Sequence, residues 1–445
     1  MIMSEAEARR IANSALAKAQ GQGDSAIVAI TSAEERNIRF ARNNATTNGA
    51  RTIMRVSVRV NVGRRSGEYV TTRVDEAGLT EAVSQAAAIA RLAPENSEFM
   101  APLGPQTYAE PAGWHAGSAR ANARAFSNML LPAVRAARDA DVLAAGYLEG
   151  GPTATAYATS AGLFVYDRRT DFDFTMTARL SDGAGSGWAS AAGSDLSRID
   201  AARLGGVAID KAVRSRDPAP LEPGRYAVVL EPSPAADLLG LLSFAMDARS
   251  ADEGRSAFSK RGGGNRIGEQ ILAPNVTIRS DPRNAIAPGA IYGEDGLPHA
   301  PVTWFENGVL RALPTSRFWA ERHGGRAIPR PNNLILEGGA GATEDLVRRV
   351  ERGVLVTRFW YIRAVDQRTL VFTGLTRDGM FMIENGEITR PVSNMRWNES
   401  PLAILSNAPE FGAAVRARGT EASGSIACPP ILAPAFTFSS VSEAV

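Results

Sequence analysis

The chain has 445 residues, 44% of them hydrophobic and 22% charged, a composition that excludes disorder over most of its length. Its 49 basic and 47 acidic residues leave a net charge of +2, and the Arg residues that dominate the basic set are dispersed, so neither a nucleic-acid nor a membrane partner is indicated. One Cys and three His exclude a disulfide framework and a metal cage built from several cysteines.

The N-terminal half is predicted to alternate helices with antiparallel strands. Residues 56–62 alternate Val with polar residues, which is the period of a strand with one buried face. Further helices are predicted over residues 4–20, 79–92, 119–138 and 201–213, and further strands over 26–30, 37–41, 68–74, 143–148, 153–158, 163–168 and 172–180. No tandem sequence repeat is visible. Because residues 1–20 lack the apolar core of a signal peptide, we expect a cytoplasmic protein.

A Pro-rich segment, residues 217–224, separates two well-patterned halves and is the predicted linker. An apolar strand over residues 226–230 precedes a helix that opens at Pro232 or Ser233, and short strands with Gly/Pro turns dominate from about residue 275. We therefore expect an α+β fold. Residues 1–216 form an N-terminal α/β domain with an antiparallel sheet, and residues 225–445 form a β-rich domain that resembles a barrel or a sandwich.

The chemistry of the side chains alone marks no active site. The zinc-peptidase spacing H-E-x-x-H is absent, and no nucleophile elbow or phosphate-binding loop is present in its required context. The three histidines are far apart in Gly/Pro-rich surroundings, which is typical of loop residues. Cys428 has two interpretations. It is either a nucleophile or metal ligand, or else a small buried side chain.

Several short segments then point in one direction. In chain order they are 55–58 (RVSV), 79–83 (LTEAV), 224–230 (GRYAVVL), 256–258 (SAF), 267–270 (IGEQ), 292–298 (YGEDGLP), 305–310 (FENGVL) and 383–388 (IENGEI). Their order and spacing resemble those of the TldD/PmbA family of cytoplasmic peptidase subunits. The resemblance extends over nearly the whole chain.

The resemblance implies that active members carry H-E-x-x-x-H on the helix after the first strand of the C-terminal domain, and a distant Cys as a further zinc ligand. Here that helix is predicted over residues 237–252, at the former metal-motif position. The motif positions fall at Ser243, Phe244 and Ala248, and Cys428 lies near the position of the ligand Cys. Since both imidazoles and the carboxylate are missing, we expect no catalytic residue and no metal here, and zinc only in a partner subunit.

The function that the resemblance implies is that of a non-catalytic TldE/PmbA-like subunit. It would pair with a TldD-like zinc-bearing subunit, as a heterodimer or a higher hetero-oligomer, or with itself. Together they would bind unfolded peptides as an added β-strand, and the chain would be inactive on its own. Two alternatives stay open: a stand-alone peptide or amide hydrolase of non-zinc mechanism, and a peptide-binding homodimer without catalysis.

Residues 359–366 look closer to a TldD-type C-terminus than to a PmbA-type one. Within them, Arg363 and Asp366 either clamp a peptide terminus or pair with each other. The candidate residues of the peptide chamber are Arg255, Phe258, Asp295, Arg363 and Asp366.

Overall fold

A computed structural model describes residues 2–422 and 424–442. Its N-terminal half is built on one antiparallel sheet with the order β3-β2-β1-β4-β5-β6. The strands are β1 (Ser25–Ala41), β2 (Asn44–Val62), β3 (Arg65–Thr71), β4 (Val142–Thr159), β5 (Phe164–Leu180) and β6 (Ser186–Gly193). The helices are α1 (Glu5–Ala19), α2 (Glu76–Leu92), α3 (Ala116–Ala119), α4 (Ala123–Asp139) and α5 (Ala201–Arg214).

The order of elements repeats, although no sequence repeat is visible. Helix α1, strands β1 to β3 and helix α2 form one unit, and α4, β4 to β6 and α5 form a second unit with the same order. The two units meet where β1 pairs with β4, at the centre of the sheet. The repetition therefore lies in topology and packing.

All four long helices cover one face of this sheet. Val28 and Ile30 of β1 pack in a cluster with α1 and α2, whereas Ile38 and Phe40 of the same strand pack with α4 and α5. These four residues occupy alternate positions of one strand, so both helix pairs lie on the same side. The opposite face meets the C-terminal half, for example where the ring of Tyr157 lies 6.2 Å from that of Tyr292.

Three strands each join two segments that the sequence predicts as separate strands. Residues 26–30 and 37–41 belong to one strand, β1, because β2 pairs with it along its whole length from Ser25 opposite Asn61 to Ala41 opposite Asn44. The polar residues between the two predicted strands interrupt the local hydrophobic pattern but not the hydrogen-bond ladder. In the same way β4 and β5 each join two predicted strands.

The C-terminal half contains the remaining elements. In chain order they are β7 (Gly224–Leu230), α6 (Pro232–Ala245), α7 (Ala248–Asp252), β8 (Ile278–Ser280), β9 (Val302–Glu306), β10 (Val309–Leu310), α8 (Arg317–Arg322), β11 (Asn333–Leu336), α9 (Thr343–Val347), β12 (Arg352–Val356), β13 (Phe359–Asp366), β14 (Val371–Thr376), β15 (Met380–Glu384), β16 (Glu387–Pro391), β17 (Met395–Glu399), α10 (Pro401–Ser406), β18 (Glu410–Phe411), β19 (Val415–Ala417), β20 (Ser425–Cys428) and β21 (Ile431–Val441).

Two open sheets enclose the C-terminal core. One has the order β10-β9-β8-β11-β20-β19, and the other has the order β13-β14-β17-β21-β7-β12-β15-β16 with β18 beside β21. Apolar residues of both sheets and of α6 form one buried cluster, which includes Trp304, Phe359 and Trp397. The expectation of an α+β fold with a β-rich C-terminal half is confirmed. The barrel alternative is wrong because neither sheet closes on itself within residues 2–422 and 424–442.

The predicted linker is fixed to the C-terminal half. Leu221 is buried in the C-terminal core, and the backbone of Ala219 bonds to Pro391 and Ser393 beside β16. Residues 217–224 are therefore not a free tether. Within residues 2–422 and 424–442, no helix combines the length and the apolar character needed to cross a bilayer.

Candidate functional site

The four positions that the resemblance assigns to a metal lie on three different elements. Ser243 and Phe244 are in the last turn of α6, Ala248 opens α7, and Cys428 ends β20. The single helix predicted over residues 237–252 is therefore wrong: it is broken at residues 246 and 247.

The break has an identifiable cause. The carboxylate of Asp247 accepts the backbone N–H of Ser250 at 2.8 Å and so caps a new helix. The guanidinium of Arg330 holds the break from outside, since it donates to the carbonyl of Met246 at 3.1 Å and to Asp247 at 2.9 Å. Ala248 consequently belongs to a separate helix and is buried.

An open groove of about 320 Å³ lies at the end of α6. Ser243 and Phe244 line one wall, Arg330 and the residues after it line a second, and Glu421 lies on a third. The ring of Phe244 is 87% exposed, so a large apolar surface stands in solvent at this point.

The side chains present do not fit a zinc ion. Of the four assigned positions, Ser243 and Phe244 line the groove, and Ala248 and Cys428 do not. The Cys428 thiol is fully buried, it donates to the Pro429 carbonyl at 3.6 Å, and burial raises its pKa. Zinc needs about four N, S or O ligands, and across the described ranges no three His, Cys, Asp or Glu side chains group together in a way that could hold a metal.

One buried carboxylate positions the third wall of the groove. Asp237 of α6 is fully buried and accepts the backbone N–H groups of Thr420, Glu421 and Ala422 at 3.1, 2.8 and 2.8 Å. Burial raises the pKa of Asp237 to about 6, whereas these three hydrogen bonds act to lower it. The wall also approaches α6 closely at Gly240, where an added Cβ would stand 2.5 Å from the Ala422 methyl.

Glu421 connects this wall to the outer edge of strand β13. One carboxylate oxygen of Glu421 accepts the backbone N–H of Tyr361 at 2.9 Å, and the other lies 3.6 Å from the Arg363 guanidinium. Arg363 in turn lies over the ring of Tyr361, with 4.2 Å to the ring centroid. The structure therefore brings Arg363 next to the groove.

Asp366 is not the partner of Arg363. Its carboxylate accepts the Thr369 hydroxyl at 2.6 Å and the Arg368 backbone N–H at 2.9 Å, and these bonds hold its pKa below the usual range. The predicted alternative of an ion pair between Arg363 and Asp366 is therefore wrong in this structure.

The other three predicted chamber residues lie elsewhere. Arg255 is an exposed residue paired with Glu253, and Phe258 is fully buried in the C-terminal core. Asp295 has a left-handed backbone with φ 58°, and its carboxylate lies 3.8 Å from Arg317 beside a separate cavity of about 290 Å³. None of the three lines the groove at the end of α6.

Three residues of the site were not singled out from the sequence. The sequence does mark Asp237 as unusual, because it is the only charged residue in the apolar helix over residues 232–245. No sequence pattern marks Arg330 or Glu421, because each reaches the groove from a loop that is far from α6 in the chain.

Comparisons with known proteins identify the family. A family model described as the PmbA/TldA metallopeptidase C-terminal domain matches residues 223–440. A second model, the PmbA/TldA metallopeptidase central domain, matches residues 123–216. The chain belongs to the PmbA/TldD family. The two matched regions together span well over half of the sequence.

A curated relative supports the same membership. A protein from Methanothermobacter thermautotrophicus named "Metalloprotease" is 28% identical over 292 residues, which are 59% of this chain and 61% of the relative. The match thus spans about three fifths of that relative's length.

Several solved structures share the fold of this chain. TldE from Thermococcus kodakarensis superposes with a TM-score of 0.86 at 17% identity and covers 96% of this chain and 100% of its own. Two structures described as candidate modulators of DNA gyrase are also similar. The one from Bacteroides thetaiotaomicron has a TM-score of 0.84 at 19% identity, with coverage of 98% and 100%, and the one from Thermotoga maritima has 0.82 at 18%, with coverage of 97% and 99%.

Proposed function

We propose that the chain is the non-catalytic, TldE/PmbA-like subunit of a cytoplasmic TldD/TldE-type zinc metallopeptidase. Its role is to help enclose an unfolded peptide that is cleaved at the zinc of a TldD-like partner. One observation carries the proposal: the groove at the end of α6 presents an exposed Phe244 ring and a Ser243 hydroxyl where a metal centre would need imidazoles and a carboxylate. We also propose residues 1–216 and 225–445 as the two domains of the subunit.

The surroundings of the groove suit an extended peptide. Strand β13 is the terminal strand of its sheet and pairs only with β14 among the described residues. Tyr361 and Val365 on this strand are 54% and 61% exposed. An edge strand offers main-chain hydrogen bonds to an added strand of almost any sequence, and exposed apolar side chains offer contacts to its alternate residues.

Little in the structure favours a stand-alone hydrolase. A Cys428 nucleophile would need access and thiolate character, and the thiol is fully buried with a raised pKa. His115, Ser118 and Asp195 lie close together, but both His115 and the Ser118 hydroxyl face Asp195, and the Ser118 hydroxyl donates to it at 3.2 Å. A nucleophilic Ser would instead need the imidazole as its hydrogen-bond partner.

The first test is the native mass of the tagged protein isolated from its own cells, with every co-purifying chain identified. We expect a stable species that contains one chain bearing H-E-x-x-x-H. A homodimer or a monomer without any such chain contradicts the proposal and favours the peptide-binding homodimer or the stand-alone enzyme.

A second test measures the contribution of the groove to the reconstituted complex. Phe244→Ala should raise KM for an unfolded peptide roughly tenfold, because an apolar contact is lost, while kcat stays unchanged. Leu92→Ala is the matched control, since Leu92 is 89% exposed on α2 in the other half of the chain. Equal KM values for the two variants would show that the groove does not bind the substrate.

A further inference from the structure

The outer edge of β13 already holds a carboxylate. The Glu421 side chain extends to this edge from the groove wall. One of its oxygens accepts a hydrogen bond from the Tyr361 N–H at 2.9 Å, and the other lies 3.6 Å from the Arg363 guanidinium. Both donors belong to β13, the terminal strand of its sheet. A negative group is thus bound at the place where an added strand would begin to pair.

The backbone of β13 builds this arrangement. The pairing register with β14 shifts between Trp360 and Arg363, and Tyr361 has a left-handed backbone with φ 54°. Such an irregularity is a β-bulge, which turns a backbone N–H out of the ladder. Because a non-glycine residue in this conformation is strained, the bulge is maintained by its surroundings rather than by local preference.

Arg363 is held in place independently of Glu421. Its guanidinium donates to the Ile362 carbonyl at 2.6 Å and lies over the Tyr361 ring at 4.2 Å. A cation over an aromatic face is stabilised by the ring quadrupole. The positive charge therefore stays beside the Tyr361 N–H when Glu421 leaves.

We propose that the Tyr361 N–H and the Arg363 guanidinium form a seat for the C-terminal carboxylate of a bound peptide, and that Glu421 occupies this seat in the free protein. This inference rests on the proposed peptide-binding function and deepens it. A terminal carboxylate offers the same two oxygens as Glu421, and a backbone N–H with an adjacent Arg is a common way to capture it. The Glu421 side chain is 30% exposed, so solvent is in contact with it on one side.

The test measures binding to the full chain by fluorescence anisotropy. The probes are an apolar hexapeptide labelled at its N-terminus, once with a free C-terminal carboxylate and once amidated. We expect the free acid to bind more tightly than the amide. Glu421→Gln removes the competing charge and keeps the acceptor oxygen. It should increase the affinity for the free-acid peptide about two- to fivefold and leave the affinity for the amidated peptide unchanged.

Two further variants complete the design. Arg363→Gln should abolish the preference for the free acid. Glu306→Gln is the control, because Glu306 also pairs with an Arg on the surface, at 2.9 Å from Arg311, on β9. Each variant is first checked for an unchanged melting temperature.

The outcomes separate the seat from the proposed function. Equal binding of free acid and amide, or an equal effect of Glu421→Gln on both, overturns the seat while peptide binding itself stands. Binding of neither peptide overturns the seat together with peptide capture by this chain alone. The co-purification experiment decides the partner question independently of both.

Discussion

Two fully buried side chains, Asp237 and Cys428, differ in what they contribute to the site. Asp237 is fully buried but uses both oxygens, and the three N–H groups that it accepts fix the wall that carries Glu421. Cys428 is equally buried, but its thiol makes one weak hydrogen bond, to the Pro429 carbonyl, and packs in the C-terminal core. The first residue therefore positions the site, whereas the second behaves as a small apolar side chain.

This difference gives a prediction for Cys428. Because burial excludes both water and reagent and raises the pKa of the thiol, the native protein should not react with a maleimide, whereas the urea-unfolded protein should label fully. Ser406→Cys is the control, since it places a thiol at an exposed position that should label at once. Labelling is measured by mass spectrometry. Rapid labelling of Cys428 in the native protein would show that the thiol is accessible and reactive.

At the scale of elements, the two repeated units of the N-terminal half share a packing device. Gly67 on β3 lies against the backbone of α2, and Gly187 on β6 lies against the backbone of α5. In each case an added Cβ would overlap a helix carbonyl, that of Ala86 or of Ala208. Close contact between strand and helix thus depends on the absence of a side chain.

Gly187→Ala should therefore destabilise the fold by about 2–3 kcal/mol, since a strand or a helix must move to admit the methyl group. Gly206→Ala is the matched control on α5, where an added Cβ meets nothing within 4 Å, and it should be neutral or stabilising by roughly 0.5 kcal/mol. Urea unfolding followed by circular dichroism measures both. Similar losses for the two variants would contradict the packing argument.

At the scale of the whole molecule, charged pairs join the two halves. Arg416 lies 3.2 Å from Asp171 of β5, and Arg418 pairs with Asp173 of the same strand. Arg418 also donates to the Tyr147 hydroxyl at 2.9 Å. Since residues 416–418 directly precede the groove wall, these pairs link the position of the wall to the N-terminal sheet.

A double-mutant cycle tests this link. Asp173→Asn and Arg418→Gln should show a coupling of about 1–2 kcal/mol, because both side chains are more than two-thirds buried. The exposed pair Glu306 and Arg311 serves as control and should show a coupling below about 0.5 kcal/mol. The free energy of unfolding in urea is the measurement. A coupling at the control level would show that the pair does not hold the halves together.

How much of this could be predicted varies from element to element. The helices over residues 4–20 and 201–213 were placed within a residue or two, because each is amphipathic and is capped at its start by Ser4 or Asp200. The break at residues 246 and 247 was missed, because it depends on Arg330, which lies more than 80 positions away. Strand lengths were underestimated where pairing continues through polar residues.

The sequence by itself determined the family and the α+β class. Each of these depends on residue types and local periods, which are readable without a fold. Only the tertiary structure decided that Phe244, Arg330 and Glu421 share a groove, that Arg363 faces Glu421 rather than Asp366, and that Cys428 is inaccessible. Such contacts join positions far apart in the chain, and they leave no period in the local sequence to reveal them.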